Sequence, residues 1–528
     1  MAKARSEAQP RLPASPGGAE ARRNLMRFLS LSAGLSAWFI GPAWAANWDF
    51  VPTLSVGATY SDNLLLTSDA VKQGGWVTQV TPGISIAATG AGLRFNANYA
   101  PEVTYNARGQ EGRQVYQRLN AAGHAELAKQ LLFVDAGANV DQYNVSLQAP
   151  LTTSNVNTTG NRTTARTFFL SPYLLLDFGP AVRGEARFTY SVANSDSTSV
   201  LPDSEANRVN LRLASGPAYK RLTWDLAYSR ESIKYETQQV TDTEVITANA
   251  RRLITPAVGL LAMVGYENYD YPVIGQPSKG SMWSAGLDWT PTSRTRLAAT
   301  AGHRVYGDTY LLDFRHRTRL TTWSAGYSEN VTTTRSEFFV PATTSTAGYL
   351  NQLFLSQFPD PESRQKAVEQ FIAQTGLPQS LNTPLNFFSN QPFLVKRWQA
   401  SAGILGIRNV LMANVFRETR EVLTGSVVLP GTGDFAASNA IIQTGTSLSW
   451  NWRMTAQNAW NMTAAYSRNE FLDTGQSNNL VSAGMGLTRQ FQPWFTGSLN
   501  YRRQQSDSDQ GALNYTENAV LATLHMRF

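Results

Sequence analysis

An all-β fold is what this sequence predicts: a transmembrane antiparallel β-barrel of about 22 strands, within bounds of about 20 to 24, with one helical insertion on its extracellular side. Three observations lead there. Apolar and polar residues alternate in segment after segment. The gaps between segments are by turns short and long. The last ten residues are themselves such a segment, ending on an aromatic side chain. A period of two marks a strand, whose successive side chains point to opposite faces.

Composition agrees with a membrane barrel. The chain has 528 residues, no cysteine, 16% charged and 11% aromatic residues. Its mean hydropathy of −0.27 excludes a helical membrane protein. A barrel stays polar on average because only alternate residues meet lipid. Absence of cysteine removes disulfide frameworks and thiolate metal sites, and suits passage through an oxidising periplasm.

The first 45 residues read as a leader. Residues 1–27 are polar and basic, closing on Arg22, Arg23 and Arg27; an apolar run from Phe28 to Ile40 follows, then Ala43-Trp44-Ala45. That is the three-part pattern of a secretory signal cleaved after Ala45. The Arg22-Arg23 pair is similar to a twin-arginine signal, but ordinary leader charge is the favoured reading, because a membrane barrel has to cross the inner membrane unfolded. The predicted division is a signal peptide over 1–45 and an outer-membrane barrel over 46–528. Without the leader, 39 basic and 36 acidic residues remain, a net charge of +3 spread too evenly for nucleic acid.

From Trp48 onward the alternation repeats. Val134, Ala136, Ala138 and Val140 oppose Asp135, Gly137, Asn139 and Asp141. Leu222, Trp224, Leu226 and Tyr228 oppose Thr223, Asp225, Ala227 and Ser229. Val481, Ala483, Met485 and Leu487 oppose Ser482, Gly484, Gly486 and Thr488. Short connections fall at Ala128-Lys129-Gln130, Phe178-Gly179-Pro180, Thr292-Ser293-Arg294, Arg408-Asn409 and Gln492-Pro493. Long ones fall at 61–75, 145–163, 195–205, 423–437 and 507–513. Periplasmic turns and extracellular loops segregate in this way in outer-membrane barrels. Arg294-Thr295-Arg296-Leu297 recurs one hairpin later as Arg317-Thr318-Arg319-Leu320, which places both at periplasmic turns. Aromatic residues near segment ends, among them Trp48, Trp76, Tyr105, Tyr173, Trp289, Trp452 and Trp494, suit two interfacial girdles.

The alternation stops once, over 331–393, too long a stretch for a bare loop. Asp360, Pro361 and Glu362 form a helix start, Ala367, Val368, Phe371 and Ile372 an apolar stripe, and Gly376 with Pro378 a stop. A second apolar stretch, Tyr349 to Phe358, is expected to pack on it. This insertion carries too much apolar surface to lie bare in water, and is expected to fold against or into the barrel mouth. Its apolar residues Phe354, Phe358, Phe371 and Ile372 are the candidate constriction. An external cap without a role in passage is the other reading.

The final strand sets Val520, Ala522, Leu524, Met526 and Phe528 on one face. It is expected to close the barrel against the strand near Trp48. Leu524, Met526 and Phe528 are the candidate signal for the barrel-assembly machinery.

Several stretches resemble the outer-membrane proteins associated with the PEP-CTERM/exosortase system. They are Trp48-Asp49-Phe50-Val51-Pro52 with Tyr60-Ser61-Asp62-Asn63, Pro82-Gly83-Ile84, Arg317-Thr318-Arg319 followed by 323–329, Phe358-Pro359-Asp360-Pro361 and Thr375-Gly376-Leu377-Pro378. The most specific are residues 328–334 and the helical insertion. Asn330 departs from the acidic residue that usually follows the Ser-Glu pair. The resemblance implies a barrel encoded with exopolysaccharide biosynthesis and export genes in Gram-negative bacteria. It implies no catalytic residues.

Chemistry of other kinds is missing from the pattern. His124, His303, His316 and His525 lie in separate segments without metal-ligand spacing. There is no nucleophile elbow and no phosphate or dinucleotide fingerprint, so no cofactor is expected. A lumenal Ser–His pair stays open, because barrel neighbours are remote in sequence. A plugged energy-coupled receptor would place a soluble plug before its first strand, whereas the alternation begins at Trp48. The expected lumen lining comprises Arg94, Arg183, Glu185, Arg187, Arg212, Asp225, Asp288, Asp313 and Arg315. Expected partners are outer-membrane lipid, the assembly machinery, a polysaccharide and periplasmic export components. Three functions remain: a pore for exopolysaccharide with the insertion as constriction, an anchoring barrel with a closed lumen, or an outer-membrane hydrolase.

Overall fold

The computed structural model describes residues 46–528 apart from 107–111, 198–201, 237–239, 271–278, 340–345, 357, 359, 361, 362, 366, 369, 370, 373–391, 424–432 and 437. The signal peptide, and the positions Pro361, Glu362, Gly376 and Pro378 of the expected helix, lie outside the described residues.

All strands belong to one antiparallel sheet. The first are β1 (Asn47–Ser61), β2 (Gly75–Thr89), β3 (Leu93–Tyr99 continued by Glu102–Asn106), β4 (Arg113–Tyr116 continued by Leu119–Ala128) and β5 (Leu132–Asn144). Next come β6 (Arg162–Phe178), β7 (Val182–Ser195), β8 (Ser204–Ser215), β9 (Leu222–Tyr235), β10 (Thr241–Leu253) and β11 (Val258–Asp270). They are followed by β12 (Lys279–Thr292), β13 (Thr295–Arg304), β14 (Gly307–Arg317), β15 (Thr321–Thr332), β16 (Phe393–Leu405) and β17 (Asn409–Val422). The last are β18 (Ala440–Arg453), β19 (Asn458–Phe471), β20 (Gln476–Gln492), β21 (Phe495–Ser508) and β22 (Tyr515–Arg527).

Both parts of β3 pair with β2, so the interruption at Ala100-Pro101 is local. Pro101 has no N–H to give the ladder, while the Ala100 N–H reaches the Arg118 carbonyl at 2.9 Å across the gap. Counted as continuous staves, the strands number 22, as the sequence predicts.

The sheet closes on itself. Thr53–Ser61 of β1 pairs with Ala519–Arg527 of β22, and the Phe528 N–H donates to the Pro52 carbonyl at 2.9 Å. Closure leaves no strand edge, the condition for a sheet to cross hydrocarbon.

The two faces sort as the alternation requires. Val56 and Tyr60 of β1, Leu226 of β9, Trp283, Leu287 and Trp289 of β12, Val481 and Met485 of β20, and Leu524 of β22 are exposed on the outer face. Trp48, Phe178, Trp289, Trp452 and Trp494 ring the short-turn end, and Tyr60, Trp76 and Tyr105 the loop end. Together with the segregated turns and loops, this apolar band makes the protein an outer-membrane β-barrel. Tyr173 departs from the girdle. It shares the inner face with Asp135 and Ser171, stacks on Phe133 at 5.2 Å and lies under the Arg187 guanidinium at 3.7 Å.

Short turns such as 129–131, 179–181, 293–294, 406–408 and 493–494 share one end of the barrel. Arg294 and Arg317-Thr318-Arg319-Leu320 both fall there. The opposite end carries 62–74, 145–161, 196–203, 333–392 and 423–439, although 305–306 and 472–475 on that end are also short.

Closure is open to a direct check. Ala58 and Ala522 stand opposite each other across the β1–β22 seam in a chain without cysteine. Ala58→Cys with Ala522→Cys is expected to form a disulfide on oxidation in the folded barrel, since directly paired residues have suitable Cα spacing. Absence of the cross-link in heat-modifiable, membrane-inserted protein would contradict the seam.

Candidate functional site

A barrel of this strand number is too wide for its own wall side chains to fill, so its lumen is the candidate site. Near the short-turn end the inner wall carries a belt of opposite charges running from β3 to β14. Arg94 stands in register with His124, whose Nδ1 lies 2.7 Å from Asp135. Arg187 bonds both Asp135 and Glu185 at 2.7 Å. Arg183 stands in register with Asp177, and Arg212 approaches Asp225 at 3.5 Å. Asp288 receives Arg251 at 2.7 Å and Arg296 at 3.1 Å, and Arg315 bonds Asp313 at 3.0 Å. The nine residues named from the sequence thus share the face opposite the apolar band. A cavity of about 520 Å³ adjoins the belt at Arg212, Asp225, Asn249 and Arg251.

The insertion begins and ends at residues that are themselves partners, Thr332 and Phe393. Its first helix, α1 (Thr334–Phe339), crosses the lumen. On one side Arg335 donates to Ser204 Oγ at 2.9 Å and to the Ser191 carbonyl at 3.0 Å, and Phe338 meets Tyr143 edge-on at 5.0 Å. Those partners belong to β8, β7 and β5. On the other side Glu337 pairs with Arg420 of β17 at 3.3 Å, and Glu418 holds both Arg420 and Arg397. Glu418 and Arg420 are 0% and 1% exposed. Charges so deeply placed persist only when paired.

Past α1 the chain descends. Helix α2 (Thr346–Leu353), the turn Phe354–Ser356 and helical residues within 363–372 form a lobe. Asp360 caps the last of these, its Oδ2 accepting the Ser363 N–H at 2.8 Å, as the sequence predicts. Phe354 meets Phe371 at 5.5 Å and Phe358 at 6.1 Å, and Ile372 packs with them. Phe358, Phe371 and Ile372 are partly buried and pack against a lobe core of Tyr349, Leu350, Leu353, Phe354 and Val368, which presses on Leu405, Val410 and Met412 of the wall. Those wall residues flank the 406–408 turn, so the lobe reaches the short-turn end and goes well beyond the mouth. Gly403 makes room for it, since a Cβ there would lie 2.9 Å from the Tyr349 ring. The Tyr349 hydroxyl donates to the Thr322 carbonyl at 3.2 Å.

A second segment, which the sequence pattern presents only as a long polar connection, also crosses the lumen. The 145–161 loop leaves β5 and runs to the inner face of β16–β22. Leu147 and Leu151 are buried among Phe393, Val395, Ile441, Phe471, Leu480 and Tyr515. Its backbone is held as well. Asn478 Nδ2 donates to the Leu147 carbonyl at 3.2 Å, and Gln504 Nε2 and the Tyr515 hydroxyl donate to that of Leu151 at 2.8 and 2.7 Å. Asn157 Nδ2 donates to Glu517 at 2.6 Å. From the 423–439 loop, buried Asp434 accepts the Leu147 N–H at 2.6 Å and the Ser146 hydroxyl. The available signal was the pair of leucines within a run of amides and hydroxyls.

Catalytic and metal chemistry find little here. His525 Nδ1 and Ser55 Oγ are 2.8 Å apart on the inner face at the closure seam. Among the described residues no carboxylate is hydrogen-bonded to that imidazole, so it lacks the partner of a charge-relay site. Nor does any group of three His, Asp or Glu among the described residues stand ready to hold a metal ion.

No family model matches the chain, and no curated protein matches it. Several solved structures are similar to it over most of their length. The siderophore receptor PirA from Pseudomonas aeruginosa is 9% identical with a TM-score of 0.44, over 91% of this chain and 80% of that one. The FrpB iron transporter from Neisseria meningitidis is 8% identical with a TM-score of 0.48, over 91% and 81%. OccK9 (OpdG) from Pseudomonas aeruginosa is 10% identical with a TM-score of 0.33, over 91% and 99%.

The Asp434 contact makes the seating of 145–161 pH-dependent. Burial pushes its carboxyl up from 3.8 to about 6, against the lowering effect of the hydrogen bonds from Leu147, Ser146 and Gln148. Between about pH 4 and 6 the carboxyl of a displaced loop ionises before that of a seated one. Seating is therefore favoured in acid and loses about 3 kcal/mol as pH rises through that window. Hydrogen exchange over 145–161, corrected for intrinsic rates, is expected to show protection falling across the window. Asp434→Asn should flatten the profile; an unchanged slope would contradict the assignment.

Proposed function

We propose that this barrel is an outer-membrane conduit for an exopolysaccharide leaving the periplasm, held shut at rest by its own 145–161 loop and 333–392 insertion. The observation that carries this reading is the division of the lumen. Two segments cross it near the loop end, the helical lobe covers β15–β17, and the opposite wall presents a wet belt of paired charges. Mixed charges among Ser, Thr and Asn side chains offer exchangeable hydrogen bonds to a hydroxyl-rich chain without gripping it. The resemblance to the PEP-CTERM-associated proteins supplies the class of cargo. On this reading the partners are outer-membrane lipid, the assembly machinery acting on β22, and periplasmic export components at the short-turn end.

An anchoring barrel with a permanently closed lumen is the second reading, favoured by the depth at which Arg420 and Glu418 are buried. Conductance separates the two. Thr332 pairs with Phe393, and Asn144 with Arg162, so each crossing segment can be replaced by a short turn without disturbing the wall. In planar bilayers, excising 334–391 is expected to raise conductance, and excising 146–160 as well to raise it further. Polymer binding with no current in any form would select the anchoring barrel instead.

A further inference from the structure

A void lies at the loop end, away from the charge belt. It measures about 820 Å³ and sits between the 62–74 loop, the ends of β3 and β4, and the 145–161 segment. That is within the range of roughly 300–1,000 Å³ typical of small-ligand sites. Gln73, Asn106, Gln114 and Asn155 line it with amides, Tyr116 with a phenol ring and Thr159 with a hydroxyl. Lys72 adds one cation, and no carboxylate lines the void among the described residues. Amides and hydroxyls in such density, with Leu64, Val77 and Val156 beneath, match the polar edges and apolar faces of sugar rings.

We infer that this void is a saccharide site, and that a saccharide in it holds the 145–161 segment in place. The second half follows from how the site is built. Asn155, Val156, Thr158, Thr159 and Gly160 all belong to the crossing segment. The site therefore exists only while that segment is seated, and a ligand that binds one state alone shifts the population toward it. Saccharide outside the cell thus keeps the lumen crossed. This deepens the conduit reading and rests on it for its purpose, while the binding itself does not depend on transport.

Two glycines allow a clean test. Among the described residues, a Cβ at Gly112 or at Gly160 meets nothing within 4 Å, and neither residue has a positive φ. Gly160→Trp and Gly112→Trp would therefore fill the void from its rim without straining the fold. The full barrel in detergent is titrated calorimetrically with a neutral glucose tetrasaccharide and with a hexuronic-acid tetrasaccharide. At least one is expected to bind and to slow hydrogen exchange over 145–161, and each Trp variant to weaken that binding by about tenfold or more. Heat-modifiable migration reports folding of each variant. Binding of neither tetrasaccharide, or binding that survives in both folded Trp variants, overturns the site. Binding without added protection of 145–161 overturns the coupling. A barrel that conducts after excision yet binds no sugar loses this site and keeps the conduit; one that binds sugar and never conducts does the reverse.

Discussion

Hydrogen bonding across the β1–β22 seam is the constraint on which the rest of the structure depends. In hydrocarbon an unpaired strand edge has no water to turn to, so the sheet must close completely. Closing at 22 staves fixes a radius, and that radius leaves a lumen the wall cannot fill. Everything inside the barrel answers this second problem. The chain fills its own lumen with two segments that start at the loop end, each leaving and returning between strands that are already paired.

The two segments are held by different physics. Helix α1 is fastened by ion pairs and hydrogen bonds, through Arg335 on one wall and Glu337 with Arg420 on the other. When α1 leaves, water enters the lumen and rehydrates those charges, so separation strands none of them in a dry interior. The 145–161 loop adds an apolar component, since Leu147 and Leu151 are 0% and 1% exposed. Each fully buried leucine contributes about 1.5–3 kcal/mol. Asp434 adds a dependence on acidity to the seating of the loop. Opposite them the charge belt pairs internally, with Asp288 between Arg251 and Arg296. That leaves the wall nearly neutral toward a passing polymer.

Much of the wall was legible in the sequence because a strand's period of two is strict. Alternation around Asp135, Arg187 or Asp225 needed no knowledge of neighbours, and the segregated gaps set the topology. Tyr173 was misread as part of a girdle because its position near a segment end outweighed its parity; its neighbour Ser171 lies on the polar face. The contents of the lumen were harder to see. Asn157 meets Glu517, and Leu151 meets Gln504, across more than half the chain, and no local pattern encodes such pairs. The helical insertion was recognisable from the Asp360 cap and the Phe371 stripe. Its depth was not, although Leu405, Val410 and Met412 stand as an apolar patch on the inner face beside the 406–408 turn. The saccharide void was invisible because three separate loops build it.

The central claim is that the 145–161 segment closes the lumen and can be displaced. Ser146 and Asp434 touch through short side chains from two different loops. Replacing both with cysteine provides a reversible tether at that contact. Currents through this variant in planar bilayers, recorded before and after reduction, test the claim most directly. The account predicts silence in the oxidised form and conducting bursts on reduction. Equal current in both forms would contradict it.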